Sequence, residues 1–302
     1  MTTCTQGPVH GGRQGPTDTE HKDPVPTAVR PAARNPLTRA QAGIGLALLA
    51  ATAGSWLLLL HPQAIEHTQG MGHHALRTPT MGLGALVFMA VWLAMTAAMM
   101  FPAVAPMIVM FARVSASRRD SGRPGAPTSL FVMGYVLVWT AIGVSAFALA
   151  SAGEALARRF DAVNDNAGRV GALLIVVAGA YQFTKLKERC LTECRSPLAF
   201  LAEHWRPGGR GAVTMGVHHG LHCAGCCWAL MAMLFPLGMM NVAVLGAVTA
   251  FIYAEKALPG GTTLRYAAGV ALIAFGIGAL VNPGLLPGTP EPLSHHHMSG
   301  AM

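Results

Sequence analysis

Residues 81–112 read MGLGALVFMAVWLAMTAAMMFPAVAPMIVMFA, a run without one charged side chain. A helix rises about 1.5 Å per residue and the hydrocarbon core of a bilayer is about 30 Å thick, so about 20 largely apolar residues cross it. This run exceeds that length. Pro102 and Pro106 interrupt it, which predicts a kink or a helix that ends near Phe101 and restarts. Six more apolar runs accompany it, at 41–60, 128–152, 168–185, 216–236, 239–257 and 264–286. Backbone groups in lipid must be satisfied internally, which makes helices the default. None of the runs has the short alternation of a barrel strand. The expected fold is all-α: a polytopic transmembrane helical bundle of seven spans. Two runs meet at Phe235-Pro236-Leu237-Gly238, which reads as a very tight turn; one bent helix there would give six spans instead.

Composition agrees. Of 302 residues, 52% are hydrophobic and only 11% charged, with mean hydropathy +0.44. Soluble domains carry about 25% charged residues, so an ordinary soluble enzyme, a disordered chain and a coiled coil are excluded. A net charge of +8 in so apolar a chain points to topology and to anionic lipid rather than to nucleic acid. Lipid is the expected partner. Residues 1–40 hold six Pro, four Gly and five Lys or Arg with no apolar run, so no secretory signal is read there. Residues 1–38 are expected to be a disordered polar arm in the cytosol, with Cys4 incidental. Residues 39–287 would be the transmembrane domain and 288–302 a His/Met-rich tail.

Charge sets the orientation. With seven spans and the N-terminus inside, segments 1–40, 113–127, 185–215 and 256–265 hold 17 of the 21 Lys and Arg. Arg77, Arg158, Arg159 and Arg169 are left outside. That bias predicts N-inside and C-outside.

The inner side then collects cysteine. Cys190 and Cys194 follow the fourth run, in Lys187-Glu188-Arg189-Cys190-Leu191-Thr192-Glu193-Cys194-Arg195-Ser196-Pro197. Cys223, Cys226 and Cys227 open the fifth, in His218-His219-Gly220-Leu221-His222-Cys223-Ala224-Gly225-Cys226-Cys227-Trp228. On a helix, His219, His222, Cys223, Cys226 and Cys227 spread over roughly 140° of one face. Cys190 and Cys194 are i, i+4 neighbours. In a reducing compartment such clusters read as metal-binding or redox sites rather than as disulfides. Thiolate with imidazole suits Cu(I) or Zn(II). The competing reading is that these cysteines are small buried hydrophobes.

Methionine adds a second signal. Met89, Met95, Met99, Met100, Met107 and Met110 share the 81–112 run. Thioethers bind Cu(I), so the group could pass copper, although Met is also a core gap-filler. Pro102 and Pro106 free backbone carbonyls beside Met99, Met100 and Met107. Outside, the loop 61–74 (His61, His67, His73, His74, Met71) and the tail 295–302 (His295–His297, Met298, Met302) have His and Met without Cys, a composition suited to copper capture in an oxidising space. Glu255 and Lys256 are expected to form an anchor at the inner end of the sixth span, Lys256 snorkelling. There is no Walker loop, no H-E-x-x-H and no G-x-S-x-G, which leans away from an enzyme.

Three stretches together resemble one bacterial family. They are Met99-Met100-Phe101-Pro102 with Pro106-Met107; Tyr181-Gln182 through Lys185 to Cys190, Cys194, Arg195, Ser196 and Pro197; and Met215-Gly216 through His219-Gly220, Cys223 and Gly225-Cys226-Cys227-Trp228 to Leu230-Met231. They look like the predicted metal-binding integral membrane proteins of domain of unknown function 2182, over roughly residues 85–260. The resemblance implies a multi-pass, metal-binding protein, and members are sometimes labelled copper chaperones.

Three functions are therefore expected in competition. The first is copper delivery or homeostasis, with Cys190, Cys194, Cys223, Cys226 and Cys227 holding Cu(I), His219 or His222 assisting, and a periplasmic or membrane metalloprotein or copper carrier as partner. The second is a membrane thiol oxidoreductase using the Cys pairs. The third is a non-catalytic scaffold with a structural Zn(II).

Overall fold

The structure is a computed structural model that describes residues 36–60, 84–238, 241–282 and 285–286. Cys4, the loop 61–74, the tail 288–302 and all but the last three residues of the polar arm lie outside the described residues. Eleven helices follow one another among those described: α1 (Pro36–Leu60), α2 (Ala85–Asp120), α3 (Thr128–Arg159), α4 (Asp161–Asp165), α5 (Ala167–Tyr181), α6 (Lys185–Arg195), α7 (Pro197–His204), α8 (Gly208–Ala232), α9 (Leu234–Leu237), α10 (Val242–Ala257) and α11 (Gly261–Val281). No strand occurs among them.

Five helical segments are long and apolar enough to cross a membrane: α1 from Ala42, α2, α3, α8 continued through α9, and α11. Helices α5 and α6 make a sixth if taken together, bent by 65°. The expected seven are thus five or six by length and composition. The shortfall has a physical cause. Helices α5 and α10 have 15 and 16 residues, about 22 and 24 Å of helix against about 30 Å of hydrocarbon.

Two local expectations need correction. Helix α2 does not end near Phe101; it runs unbroken through Pro102 and Pro106 for 36 residues. A proline removes one hydrogen bond and crowds one carbonyl, and the buried Met99, Met100, Val104 and Met107 pack the helix on either side of that defect. The turn expected at 235–238 does not lie there: Phe235, Pro236 and Leu237 belong to α9, which continues α8, and the chain leaves the helix only at Gly238. Gly238 takes φ +90°, open to glycine at little cost. Asn241 then caps α10, its side-chain oxygen accepting from the Ala243 and Val244 N–H groups at 3.1 Å.

Helix α8 is the inner helix of the bundle: 56% of its span window is buried, against 6% for α1. It crosses α3 at two glycines. A methyl on Gly134 would strike the Val213 carbonyl, and one on Gly216 the Phe131 carbonyl, the close approach that small residues give packed helices. Helix α5 lies along α11 and α1 along α2, where Trp56 Nε1 donates to the Ala98 carbonyl at 3.2 Å. Outward faces are apolar. Leu46 and Leu57 on α1, Leu137 and Leu149 on α3, and Val170 and Val270 on α5 and α11 are all exposed. In water such a girdle invites association; against lipid it is the expected surface.

One end of the bundle gathers the basic segments. Phe111 of α2 stacks on Phe131 and Trp205 with ring centroids 4.8 and 5.7 Å away, and the Arg118 guanidinium sits 5.1 Å over the Trp205 ring. Arg195 donates to the Leu258 carbonyl at 2.7 Å. Segments 113–123, 185–210 and 256–265, three of the four basic stretches, therefore meet at the same end, and the cysteines lie there.

Candidate metal centre

Helix α6 turns aside from α5 because Thr184 starts it afresh. The Thr184 hydroxyl donates to the Tyr181 carbonyl at 2.8 Å and accepts from the Lys187 N–H at 3.2 Å, an N-cap that satisfies a donor the helix itself cannot. Lys187, Cys190, Leu191 and Cys194 then fall on one helical face, which is laid against α8. The first three are buried and Cys194 is half-buried.

Glycine lets the two helices close. A methyl on Gly225 would lie 2.6 Å from Cys190 Sγ, so the bare α carbon is what admits that thiol. Tyr181 locks the same spot, its hydroxyl donating to the Gly225 carbonyl at 2.6 Å. One turn on, Cys194 Sγ lies 3.9 Å from Cys226 Sγ. On α8 the Cys226 and Cys227 thiols donate to the Cys223 carbonyl at 3.0 and 2.9 Å. Cys227 Sγ reaches Met100 Sδ of α2 at 3.9 Å. The five cysteines among the described residues are free thiols, and Cys194, Cys223, Cys226 and Cys227 are near enough to act on one another electrostatically. The two cysteine stretches, widely separated in sequence, converge.

The remaining expected residues are placed unevenly. His219 is buried among Phe131, Tyr135 and Phe200, with ring centroids at 6.1, 6.2 and 5.2 Å, and its Nδ1 has no hydrogen-bond partner. An orphaned nitrogen in such a place suits a ligand. The His222 ring faces His218, with centroids 4.6 Å apart. Met99 and Met107 are buried core side chains, and only Met100 of the three has a cysteine sulfur as a hydrogen-bonding neighbour among the described residues. Among those residues, no three His, Cys, Asp or Glu side chains already stand in a metal-holding geometry.

Glu255 and Lys256 do not form the expected interfacial anchor. Glu255 is 2% exposed and pairs with Lys187, which is fully buried, at 2.8 Å. Lys256 turns inward and donates to Cys223 Sγ at 3.3 Å; a sulfur partner outweighs snorkelling here. Tyr135 shares the same sulfur, its hydroxyl 3.2 Å away. Lys187 and Tyr135 were not legible as site residues. Lys187 stands three positions before Cys190, a spacing that puts it on the same face, whereas Tyr135 has no distinguishing mark in α3.

The family described as PpoB2: Copper chaperone matches residues 89–279. No curated protein and no solved structure matches the chain.

Proposed function

The chain belongs to this copper chaperone family, and we propose that it handles copper in a bacterial cytoplasmic membrane, receiving or delivering Cu(I) at the seam between α6 and α8. Cys190 and Cys194 on one side and Cys223, Cys226 and Cys227 on the other are the proposed ligands, with His219 assisting and His222 at the edge of the set. Met100 is the nearest thioether, and Met99 and Met107 would extend the route along α2. The resemblance to domain of unknown function 2182 supports the same reading.

One observation carries it: Cys194 Sγ and Cys226 Sγ stand 3.9 Å apart across two helices. Two sulfurs bound to one tetrahedral ion at about 2.3 Å are about 3.8 Å apart. The pair is thus spaced to share an ion before one arrives. Thiolate and thioether are donors that favour Cu(I). An ion there would also neutralise thiolates that burial otherwise disfavours. The same spacing serves Zn(II), so a structural zinc clamp is the second reading.

The topology proposed has the N-terminus inside and seven crossings, counting α10 as a short span and α5 with α6 as a bent one. The charge bias and the meeting of three basic segments at the cysteine end support it. The expected partner is a metalloprotein or copper carrier of the membrane or periplasm.

Metal analysis of detergent-purified protein tests the proposal. Stoichiometric copper lost in the Cys223→Ser/Cys226→Ser protein supports it. Wild-type protein that stays copper-free after purification under reducing, copper-replete conditions overturns it, and zinc retained in copper's place favours the clamp.

A further inference from the structure

A cluster of imidazoles lies beside the sulfurs, and only His222 of its three members enters the function just proposed. His204 ends α7. His218 and His222 lie one turn apart on α8. Ring centroids are 4.4 Å apart for His204 and His218 and 4.6 Å apart for His218 and His222. All three side chains are half-buried, so they are reachable from outside. Phe200, fully buried, packs against each of them and holds them together.

The hydrogen bonds fix what these rings offer. His204 Nδ1 meets the Phe200 carbonyl at 3.2 Å, and His222 Nδ1 meets the His218 carbonyl at 2.9 Å. A carbonyl only accepts, so each Nδ1 carries the proton. In the neutral ring the Nε2 lone pair is then free. This is the outer contact that metal-ligating histidines use to fix tautomer and orientation. His218 Nδ1 is buried and has no partner at all. Two histidines at i, i+4 on one helix face are moreover a zinc-binding spacing.

We infer that His204, His218 and His222 form a second metal-holding station, made of nitrogen donors, for a borderline transition-metal cation such as Zn(II) or copper. Two imidazoles on one tetrahedral ion at about 2.1 Å have ring centroids about 5 Å apart. The His204–His218 and His218–His222 separations are each less than an ångström short of that; His218 is the shared member, and side-chain rotation has to bring His204 and His222 together around it, since the three do not already stand in a metal-holding geometry. Glu193, next to Cys194, lies near enough to act on both His218 and Cys190. Its carboxylate is within electrostatic reach of both the nitrogen and the sulfur sites, where it favours a cation at either. Arg206 also acts on His218, but it is exposed and so screened by water.

The station does not depend on the sulfur reading, and the test separates them. Protein with Cys190, Cys194, Cys223, Cys226 and Cys227 all changed to Ser is titrated with Zn(II) in detergent. The same is done with His218→Gln and with His204→Gln added singly to that background. The loop and tail histidines are present in every variant and cancel in the comparison. Each Gln substitution is expected to remove one equivalent of tight Zn(II), and Cu(II) loaded in its place should show nitrogen coupling in its electron-spin resonance spectrum that the same variants lose. Should the all-Ser protein fail to fold, the same substitutions in wild type, with the thiols reversibly blocked, read the same loss. Equal Zn(II) binding with and without His204 and His218 overturns the inference and leaves the sulfur site untouched.

Discussion

The Lys187 ammonium sits between both carboxylate oxygens of Glu255, 2.9 and 2.8 Å away, with the Gln182 side-chain carbonyl as its third partner. Lys187 is fully buried and Glu255 nearly so. The contact ties α6, three residues before Cys190, to α10, whose next residue Lys256 reaches Cys223. One ion pair thus braces the helix that carries two of the thiols.

Breaking that pair leaves a buried charge without its hydrogen-bonded partner. Lys187→Met or Glu255→Gln is expected to cost about 3–5 kcal/mol, whereas Lys187→Met/Glu255→Leu, which removes both charges, should recover most of it. Denaturation midpoints in detergent read the difference. A double variant no more stable than either single one contradicts the bracing role. The Arg158–Glu154 pair at 3.7 Å, whose arginine is exposed, gives the control: the effect of Arg158→Gln should be hard to detect.

Gly225→Ala is expected to push α6 off α8, because the new methyl would meet Cys190 Sγ at 2.6 Å. Overpacking of this kind costs about 1–3 kcal/mol. Adding Cys190→Ala removes the obstructing sulfur and should restore the melting temperature without restoring full copper retention. Copper retention returning together with the melting temperature would mean that Cys190 is packing only.

Much of this was legible in residues. The charge-free run 81–112 announced a membrane-type helix. The convergence of Cys190 and Cys194 with Cys223–Cys227 followed from placing both stretches at one end. What escaped was tertiary. The prolines in α2 predicted a kink or a break; the break is absent, the helix running on through packing at Met100, Val104 and Met107. Lys256 read as a snorkelling anchor because only the fold shows that Cys223 faces it. His218 does not stand out in the sequence beside His219, although it stands four residues before His222; His204 joins them only because α7 folds back beside α8, which no local pattern specifies.

Cys194 and Cys226 should cross-link readily. A disulfide needs the sulfurs at about 2.05 Å, and 3.9 Å is within reach of small side-chain motions. In protein keeping only these two cysteines, mild oxidation should yield one intramolecular disulfide. Protease cleavage between α6 and α8 should then release fragments that separate only under reduction. Prior loading with Cu(I) should slow the oxidation. Fragments that separate without reductant would show that α6 does not lie on α8 in the purified protein.

Removing copper should loosen α6 before anything else. A ligand that binds only the folded state stabilises it by about 2.7 kcal/mol at a hundredfold excess over its dissociation constant. Here that energy would fall on the seam joining α6 to α8, since the proposed sulfurs lie on those two helices. The N-cap at Thr184 and the Lys187–Glu255 pair would still hold the first turn of α6, so its last turn, around Cys194, should open first. Hydrogen exchange measured with and without a Cu(I) chelator is expected to rise at residues 190–195 while α3, held to α8 at Gly134 and Gly216, stays protected. In the Cys223→Ser/Cys226→Ser protein the chelator should change nothing. If exchange in α6 is indifferent to copper in wild type, the ion does not bridge these two helices.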